Sequence, residues 1–390
     1  MNLFSFEGIL YDLPNYMFCI VFILVLSIIF RPPIYMTCLL VLSCFVPFFL
    51  NDVLFPTEYM PDQFRYFDMV RSVRHMDLYN VDHSANVRFA SWFISLIPLP
   101  FVETVRAIGF FSKFLYLCLV FFLYTRGVLN LCTLVFLMLY PSLVLYTSLA
   151  LRDGLIFFFM MFGFYFLVQG RFWLSLIISL PLFFIKFQNF FIQLVFIFMY
   201  FGFDVRRSGL SLQRVVLMFL AAGCFLVLLA PYLLPYVNKY RVAMWREDGG
   251  DVSDIMEISS ALDFLITGLS GGFSFLVKPY PWQTTNAVQL IQSVENVVLL
   301  MFVAWLTLRC FCYDRRRTVF WIIYLFSAAA IYGIVVSNYG AAARYRFPFV
   351  VSYVVFVVYD VFYSKFSRVS NVSDELRFFW RRSWHFERFC

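Results

Sequence analysis

Long apolar runs separated by short polar breaks dominate the chain, and most of these runs are roughly 15 to 23 residues long. An α-helix needs about 20 mostly apolar residues to cross the hydrocarbon core of a bilayer. The pattern therefore predicts a bundle of membrane-spanning helices, eleven by our assignment within a range of ten to twelve. The predicted spans lie near residues 14–30, 34–50, 104–124, 128–147, 153–169, 172–186, 188–203, 213–235, 286–308, 319–337 and 346–363.

The composition of the chain indicates the same class of protein. Of its 390 residues, 63% are hydrophobic and 22% are aromatic, whereas soluble domains are close to half apolar. The strands of a transmembrane barrel would give alternating segments of about ten residues, and the long uniform runs do not fit them. We therefore expect an all-α integral membrane protein.

Basic residues fall on alternate connections between the predicted spans, which sets the expected orientation. Positively charged short loops mark the cytoplasmic face, so we expect a periplasmic N-terminus and a cytoplasmic C-terminus. The net charge of +7 is then a topology signal and no indication of nucleic-acid binding. The loops on the predicted cytoplasmic face carry Arg31, Arg126, Arg171, Arg206, Arg207, Arg214, Arg309, Arg315, Arg316 and Arg317.

Two long segments interrupt the spans, at about 51–103 and 236–285, and both fall on the predicted periplasmic side. Together with a basic cytoplasmic tail at 364–390, they complete a single polytopic domain over residues 1–390. Residues 62–79 mix aromatic and charged positions at near-helical spacing, which predicts an amphipathic helix on the membrane surface. We expect its apolar side to contain Phe64, Phe67, Val70, Val73 and Met76.

Two motifs place a carboxylate beside a basic residue at the periplasmic end of a predicted helix. Asp62, followed by Arg65 and Tyr66, opens the surface helix; Asp62 is either a general base facing a cavity or an N-cap residue. Arg152 and Asp153 precede the fifth span. Arg152 either grips phosphate, oriented by Asp153, or forms with it a neutral pair at the membrane interface.

The polar group Lys186, Gln188 and Asn189 interrupts an apolar stretch that is short for two spans. It marks either a hinge between two tilted helices or the turn of a re-entrant pair. Polar residues at a helix break line a cavity or are wetted at the interface. Trp282, after Pro279-Tyr280-Pro281, belongs either to the aromatic belt or to a sugar-stacking surface.

Arg344, Tyr345 and Arg346 give the sharpest signal in the sequence. We expect both arginines in a short periplasmic loop before the last span, where basic residues are unusual. They either bind an anionic group, such as a pyrophosphate, or extend to the lipid headgroups.

Other polar residues suggest no further chemistry. His75 and His83 have no spacing typical of a metal site, and the sequence has no nucleotide-binding glycine loop. Lys113 and Glu295 lie deep in predicted spans, so Glu295 is expected to pair with Gln292 or with a basic group in a cavity. We therefore predict neither a metal nor a cofactor.

In the order of these motifs, the chain resembles the bacterial O-antigen and capsule repeat-unit polymerases, the Wzy family, including the related exopolysaccharide polymerases. The resemblance covers most of the chain. It rests on Asp62 in the first large periplasmic segment, Arg152-Asp153 opening a central helix, the polar break at Lys186, Pro281-Trp282 ending the second segment, and Arg344-Tyr345-Arg346 before the last span.

The resemblance implies a GT-C-like membrane glycosyltransferase of the bacterial inner membrane, acting in polysaccharide and lipopolysaccharide biosynthesis. It would polymerise undecaprenyl-pyrophosphate-linked oligosaccharide repeats at the periplasmic face, transferring the growing glycan to the next lipid-linked repeat without a metal. A chain-length regulator and a flippase would be its partners. Arg152, Arg344 and Arg346 would then neutralise the pyrophosphate, with Asp62 or Asp153 as base or orienting carboxylate. The substrate-binding residues would be Arg65, Tyr66, Lys186, Gln188, Asn189, Trp282 and Tyr345.

Two alternatives to polymerisation stay open. An O-antigen ligase, or another glycosyltransferase with a lipid-linked donor, shares the general plan, although ligases carry a functional histidine in a late loop and 236–285 contains none. A lipid-linked oligosaccharide flippase or other transporter predicts charges along the bilayer midplane and symmetry between two halves. Neither feature is evident in the sequence.

Overall fold

A computed structural model of the protein describes residues 6–50, 60–77, 84–247, 255–284, 286–336 and 338–369. The long regular elements in these ranges are all α-helices. They are α1 (Phe6–Phe30), α2 (Ile34–Ser43), α3 (Val46–Leu50), α4 (Asp62–Arg74), α5 (Ala85–Ser95), α6 (Val105–Thr125), α7 (Leu131–Leu139), α8 (Pro141–Tyr146), α9 (Asp153–Val168), α10 (Phe172–Ile185), α11 (Phe187–Gly202), α12 (Val205–Ser208), α13 (Leu212–Glu247), α14 (Ala261–Val277), α15 (Ala287–Tyr313), α16 (Arg315–Val335) and α17 (Tyr339–Val369). Of the tail predicted at 364–390, residues 364–369 continue α17, and residues 370–390 lie outside the described residues, as does His83.

Five of these helices are long and apolar enough to cross a membrane, and the bent helix α13 raises the number to as many as six. The all-helical, membrane-embedded class predicted from the sequence is therefore confirmed for the described residues. Several other predicted spans correspond to shorter apolar helices, such as α9, α10 and α11. The count of eleven spans stays a prediction.

The predicted span at 128–147 is two short helices, α7 and α8, that meet at Tyr140. Pro141 is the first residue of α8, and Tyr140 has the extended backbone (φ −68°, ψ 109°) that a residue before proline prefers. The second long segment also differs from the prediction. It contains α14, an apolar helix of 17 residues that the sequence analysis did not separate from the surrounding loop.

Helices α10 and α11 form an antiparallel hairpin with Lys186 at its turn. Phe172 at the start of α10 packs against Phe198 and Phe201 near the end of α11, with ring centroids 5.6 and 5.2 Å apart. Lys186 separates the helices with a backbone of φ −154° and ψ 86°. The polar break predicted from the sequence is therefore the tip of this hairpin.

Contacts between connections that are distant in the sequence bring them together at one end of the bundle. At one end, Arg206 donates to the carbonyl of Gln169 at 2.9 Å, and Arg317 donates to the carbonyls of Arg206 and Asp360. These loops belong to the set predicted to share the cytoplasmic face, so their association on one end agrees with that prediction. The hairpin tip at Lys186 lies at the opposite end.

Small residues bring α14 and α16 together near that opposite end. A Cβ atom on Gly272 would lie 2.8 Å from the Cα of Ala330, and Gly271 meets Gly333 backbone to backbone. Such small-residue contacts allow the close approach typical of helices in membranes. The result fixes the carboxyl end of α14 beside the start of α17.

The surface helix predicted at 62–79 is α4 (Asp62–Arg74), which packs on α5 and α6. Of its predicted apolar side, Val70 is buried, whereas Phe64 is exposed and Met76 lies beyond the end of the helix. Gln63 and Tyr66 are also inside the fold. This orientation turns Asp62 and Tyr66 towards the site.

Candidate functional site

One arginine joins two carboxylates that are far apart in the sequence. Arg344 donates from Nε to Asp153 Oδ2 at 2.5 Å and from Nη1 to Asp62 Oδ2 at 3.1 Å. Its side chain is only 11% exposed, and that of Asp153 is 3% exposed. The structure thus brings together three predicted catalytic residues from α4, α9 and α17.

Arg344 and Arg346 are helical residues, which corrects the prediction that they lie in a loop. Helix α17 already begins at Tyr339. Residues two apart on a helix face different directions, so the two arginines diverge. Arg346 is buried and donates to the carbonyls of Phe275 and Leu276 at 3.0 and 2.6 Å, and to Asn296. It closes the carboxyl end of α14 and does not face Arg344's partners.

Asp62 is the first residue of α4, and Pro61 occupies the N-cap position. The N-cap interpretation is therefore wrong. Its carboxylate instead pairs with Arg344 on one side and with the exposed Arg65 on the other, the latter at 3.4 Å. Asp62 is 42% exposed at its side chain, so one face of the carboxylate remains open.

The turn that carries Arg152 and Asp153 is held by α4 and α6. The side chain of Gln63 accepts a hydrogen bond from the backbone N–H of Ala150 at 3.2 Å. Ser112 donates to the carbonyl of Leu151 at 3.3 Å, and Gly109 lets the carbonyl of Ser148 approach α6 more closely than any side chain would permit. These contacts fix Asp153 relative to Asp62.

Arg152 does not pair with Asp153, which bonds Arg344 instead, so the neutral-pair interpretation is wrong and Asp153 does not orient Arg152 directly. Arg152 donates from Nη1 to the carbonyl of Ile185 at 3.0 Å, at the end of α10. Within the described residues, Arg152 forms no ion pair. Burial lowers the pKa of Lys186, and the positive charges of Arg152 and Arg344 lower it further, so the basic groups are neighbours. We call Asp62, Arg152, Asp153, Lys186 and Arg344 the Arg344 cluster.

Two tyrosines line the Arg344 cluster. The ring centroid of Tyr345 lies 4.0 Å from Lys186 Nζ and 5.6 Å from Arg344 Cζ, distances typical of cation–π contacts. Tyr66 is 2% exposed, and this burial raises its pKa to about 12. Its phenol is therefore protonated at neutral pH and can donate a hydrogen bond.

The remaining predicted site residues lie around the cluster or away from it. Asn189 is buried; it accepts from Tyr332 and contacts Met160 Sδ at 3.1 Å. Gln188 donates to Tyr240 OH at 2.7 Å, which links α11 to α13. Trp282 is 79% exposed and stacks on Tyr280 with a centroid distance of 5.0 Å.

Sequence reasoning missed Tyr332, which connects Asn189 with Tyr345. Its ring centroid is 5.5 Å from that of Tyr345, while its hydroxyl bonds Asn189. A tyrosine near the end of an apolar run reads as part of the aromatic belt, so the sequence carried no distinguishing signal. Gln63 was visible beside Asp62 but was not assigned a role.

Glu295 has a different partner from the ones predicted. Its Oε1 accepts a hydrogen bond from the backbone N–H of Ser142 at 3.0 Å, at the first turn of α8. A helix N-terminus carries free N–H groups that favour a carboxylate. Gln292 instead donates to the carbonyl of Tyr339 at 2.9 Å, at the start of α17.

Among the described residues, no group of three or more His, Cys, Asp or Glu side chains has the arrangement of a metal site. Comparisons with models of known protein families, with curated proteins and with solved structures found no match. The functional argument therefore depends on the membrane-embedded fold and on the geometry of the Arg344 cluster.

Proposed function

We propose that the protein polymerises polyprenyl-diphosphate-linked oligosaccharide repeats at the periplasmic face of a bacterial inner membrane. The observation that carries this proposal is the convergence of Asp62, Asp153 and Arg344 with two further cations, Arg152 and Lys186, at one end of a membrane bundle. A glycosyl transfer with a diphosphate leaving group needs both a carboxylate and positive charge.

The two carboxylates differ in exposure, which supports different roles. Asp62 has an open face, whereas Asp153 is buried against Arg344. We assign Asp62 as the general base that takes the proton from the acceptor sugar hydroxyl. That oxygen forms a bond to the anomeric carbon of the donor glycan as the bond from this carbon to the diphosphate oxygen breaks, and the lipid diphosphate leaves with the electron pair.

Asp153 and Arg344 fit a positioning role in this reaction. Arg344 contacts both carboxylates, so it holds Asp62 at a fixed place. Asp153, held by the turn at 147–152, orients Arg344 in turn. This assignment differs from the expectation that Arg344 binds the leaving group.

Polysaccharide banding on a gel tests the proposed function. A strain lacking the gene would be complemented with wild type, with Arg344→Ala, or with Arg88→Gln, which alters an exposed arginine on α5. We expect Arg344→Ala to abolish the ladder but leave a single repeat on the lipid core, and Arg88→Gln to restore the ladder. Loss of the single repeat would indicate ligation or flipping, and an unchanged ladder in the deletion strain would exclude a surface polymer.

A further inference from the structure

The charges of the Arg344 cluster do not balance. Arg344 contacts both Asp62 and Asp153, and Asp62 also meets Arg65. Within the described residues, Arg152 and Lys186 contact no carboxylate. These two basic groups thus lack a contacting carboxylate, although Asp153 and Asp62 lie close enough to act on Lys186.

Lys186 is the costlier of the two. It is 6% exposed, and within the described chain its ammonium contacts only the Tyr345 ring. An ammonium group has three N–H donors, and burying it without acceptors is unfavourable. A fold that retains such a group leaves those donors available for a ligand.

Arg152 is hydrogen-bonded to the peptide group that precedes Lys186. Arg152 donates to the carbonyl of Ile185, and that carbonyl belongs to the peptide bond that leads into Lys186. The hairpin break would otherwise leave this carbonyl without a partner, because α10 ends there. The spacing of the two cations is therefore fixed by the hairpin tip rather than by flexible side chains.

Three phenylalanines at the hairpin tip lie on the outside of the bundle. Phe183, Phe184 and Phe187 flank Lys186 and are 42%, 45% and 50% exposed. On a membrane-embedded helix, such exposed phenylalanines contact lipid chains. An anion bound by Lys186 would have an apolar surface beside it that suits a lipid tail.

We propose that Arg152 and Lys186 form an anion-binding pair that holds the diphosphate of a polyprenyl-linked substrate. Arginine contributes a planar set of donors that suits phosphate oxygens, and lysine contributes a compact point charge. Naming the lipid-linked donor rests on the proposed function, whereas binding of a diphosphate group does not. Arg344 then organises the carboxylates, and the leaving group is neutralised by residues on α9 and the hairpin tip.

Direct binding measurements test this pair. Purified full-length protein in nanodiscs of neutral lipid would be titrated with inorganic pyrophosphate, and separately reconstituted with undecaprenyl diphosphate. We expect Lys186→Met and Arg152→Gln to weaken binding about tenfold or more, the loss that follows from one charge-assisted hydrogen bond. Lys239→Gln, an exposed lysine on α13, and Arg88→Gln on α5 are matched controls that should bind like wild type.

The stability of the Lys186 variants separates a binding role from a structural one. Methionine is apolar and similar in length, so Lys186→Met removes the cost of a buried charge, and its Tm should not fall. Lys186→Arg keeps a cation and should bind better than Lys186→Met. If Lys186→Met and Lys186→Arg weaken binding equally, the charge is not the cause and the pair is wrong.

The two ligands distinguish free pyrophosphate from its lipid-linked form, and the binding and polymerisation assays test the anion-binding pair separately from the proposed function. Binding of both ligands, or of undecaprenyl diphosphate alone, supports the pair if the variants lose it; the second result identifies the lipid-linked form as the ligand. Wild type that binds neither ligand overturns the inference. If the variants lose binding but the wild type polymerises no glycan, the anion-binding pair is supported and the proposed function is overturned. If the wild type polymerises glycan but the variants bind as well as it does, the proposed function is supported and the pair is overturned.

Discussion

The two ends of the bundle each contain a buried charged cluster, and the two are bonded in opposite ways. At one end, Asp360 accepts from Tyr200 and Trp321 at 3.1 Å each and pairs with Arg317 at 3.5 Å. At the other end, the Arg344 cluster contains three basic residues for two carboxylates. We call Tyr200, Arg317, Trp321 and Asp360 the Asp360 cluster.

This difference in charge pairing distinguishes a structural cluster from a candidate functional site more clearly than burial does. A buried charge is tolerated when its partners and hydrogen bonds are complete. The Asp360 cluster meets that condition and ties α11, α16 and α17 together. The Arg344 cluster does not meet it, because Arg152 and Lys186 lack acidic partners in the described chain. The anion that we propose for Arg152 and Lys186 would complete the set at the Arg344 cluster.

The largest expected effect comes from a substitution that disrupts the Asp360 cluster. Asp360→Asn leaves Arg317 buried without its counter-charge, so we expect the free energy of unfolding in mixed micelles to fall by about 3–5 kcal/mol. Asp314→Asn is the matched control, since Asp314 also faces Arg317, at 3.6 Å, but is 27% exposed; its effect should stay below about 1 kcal/mol. Equal effects of the two substitutions would show that the Asp360 cluster is not the structural tie.

Substitutions in the Arg344 cluster should change activity more than stability. Asp62→Asn removes the proposed base, so the rate of glycan transfer should fall about 100-fold or more, measured with purified enzyme and lipid-linked repeats. Because the Asp62 side chain is partly exposed, the stability should change by less than about 1 kcal/mol. Asp68→Asn alters an exposed carboxylate on the same helix and should leave the rate unchanged. A rate within threefold of wild type for Asp62→Asn would exclude Asp62 as the base.

Arg346 is two residues from Arg344 in the sequence, but its Nη1 and Nη2 atoms donate to α14 carbonyls and to Asn296 instead of contacting the Arg344 cluster. Arg346→Ala leaves the last carbonyls of α14 without donors, so we expect a loss of about 1.5–3 kcal/mol in unfolding free energy. The rate per folded molecule should be unchanged, measured after correcting for the folded fraction. If the rate falls and the stability does not, Arg346 belongs to the site, as the sequence analysis expected.

Much of the candidate site was predictable because charge in an apolar chain is conspicuous. Arg152, Asp153 and Lys186 lie at breaks between apolar runs. Asp62 was selected at the start of a predicted surface helix, and Arg344 because a basic residue is unusual in a short periplasmic loop. Their pairing was not predictable, since it depends on how α4, α9 and α17 pack. The Arg152-Asp153 dipeptide illustrates this limit: adjacency suggested a pair, but the first turn of α9 directs the two side chains to different helices.

Three errors had visible signals in the sequence. The run Gly340-Ala-Ala-Ala favours helix because alanine has the highest helix propensity. An earlier start of α17 would have separated Arg344 from Arg346. Asp360 lies within a predicted span, and a carboxylate there calls for a partner, yet only Lys113 and Glu295 were singled out. The break at Tyr140 was likewise marked by Pro141. The close crossing of α14 and α16, in contrast, needs the three-dimensional structure.

The smallest expected effect sharpens the boundary of the Arg344 cluster. Arg65 is 63% exposed at its side chain and contacts Asp62 at 3.4 Å across one helical turn. Such exposed pairs contribute about 0.2–1 kcal/mol, so Arg65→Gln should lower stability by less than that. Since Arg344 still holds Asp62, the transfer rate should fall less than about threefold, equivalent to about 0.6 kcal/mol. A tenfold or larger loss of rate at saturating substrate would extend the site to the exposed face of α4. A higher KM at unchanged kcat would assign Arg65 to substrate binding, as the sequence first suggested.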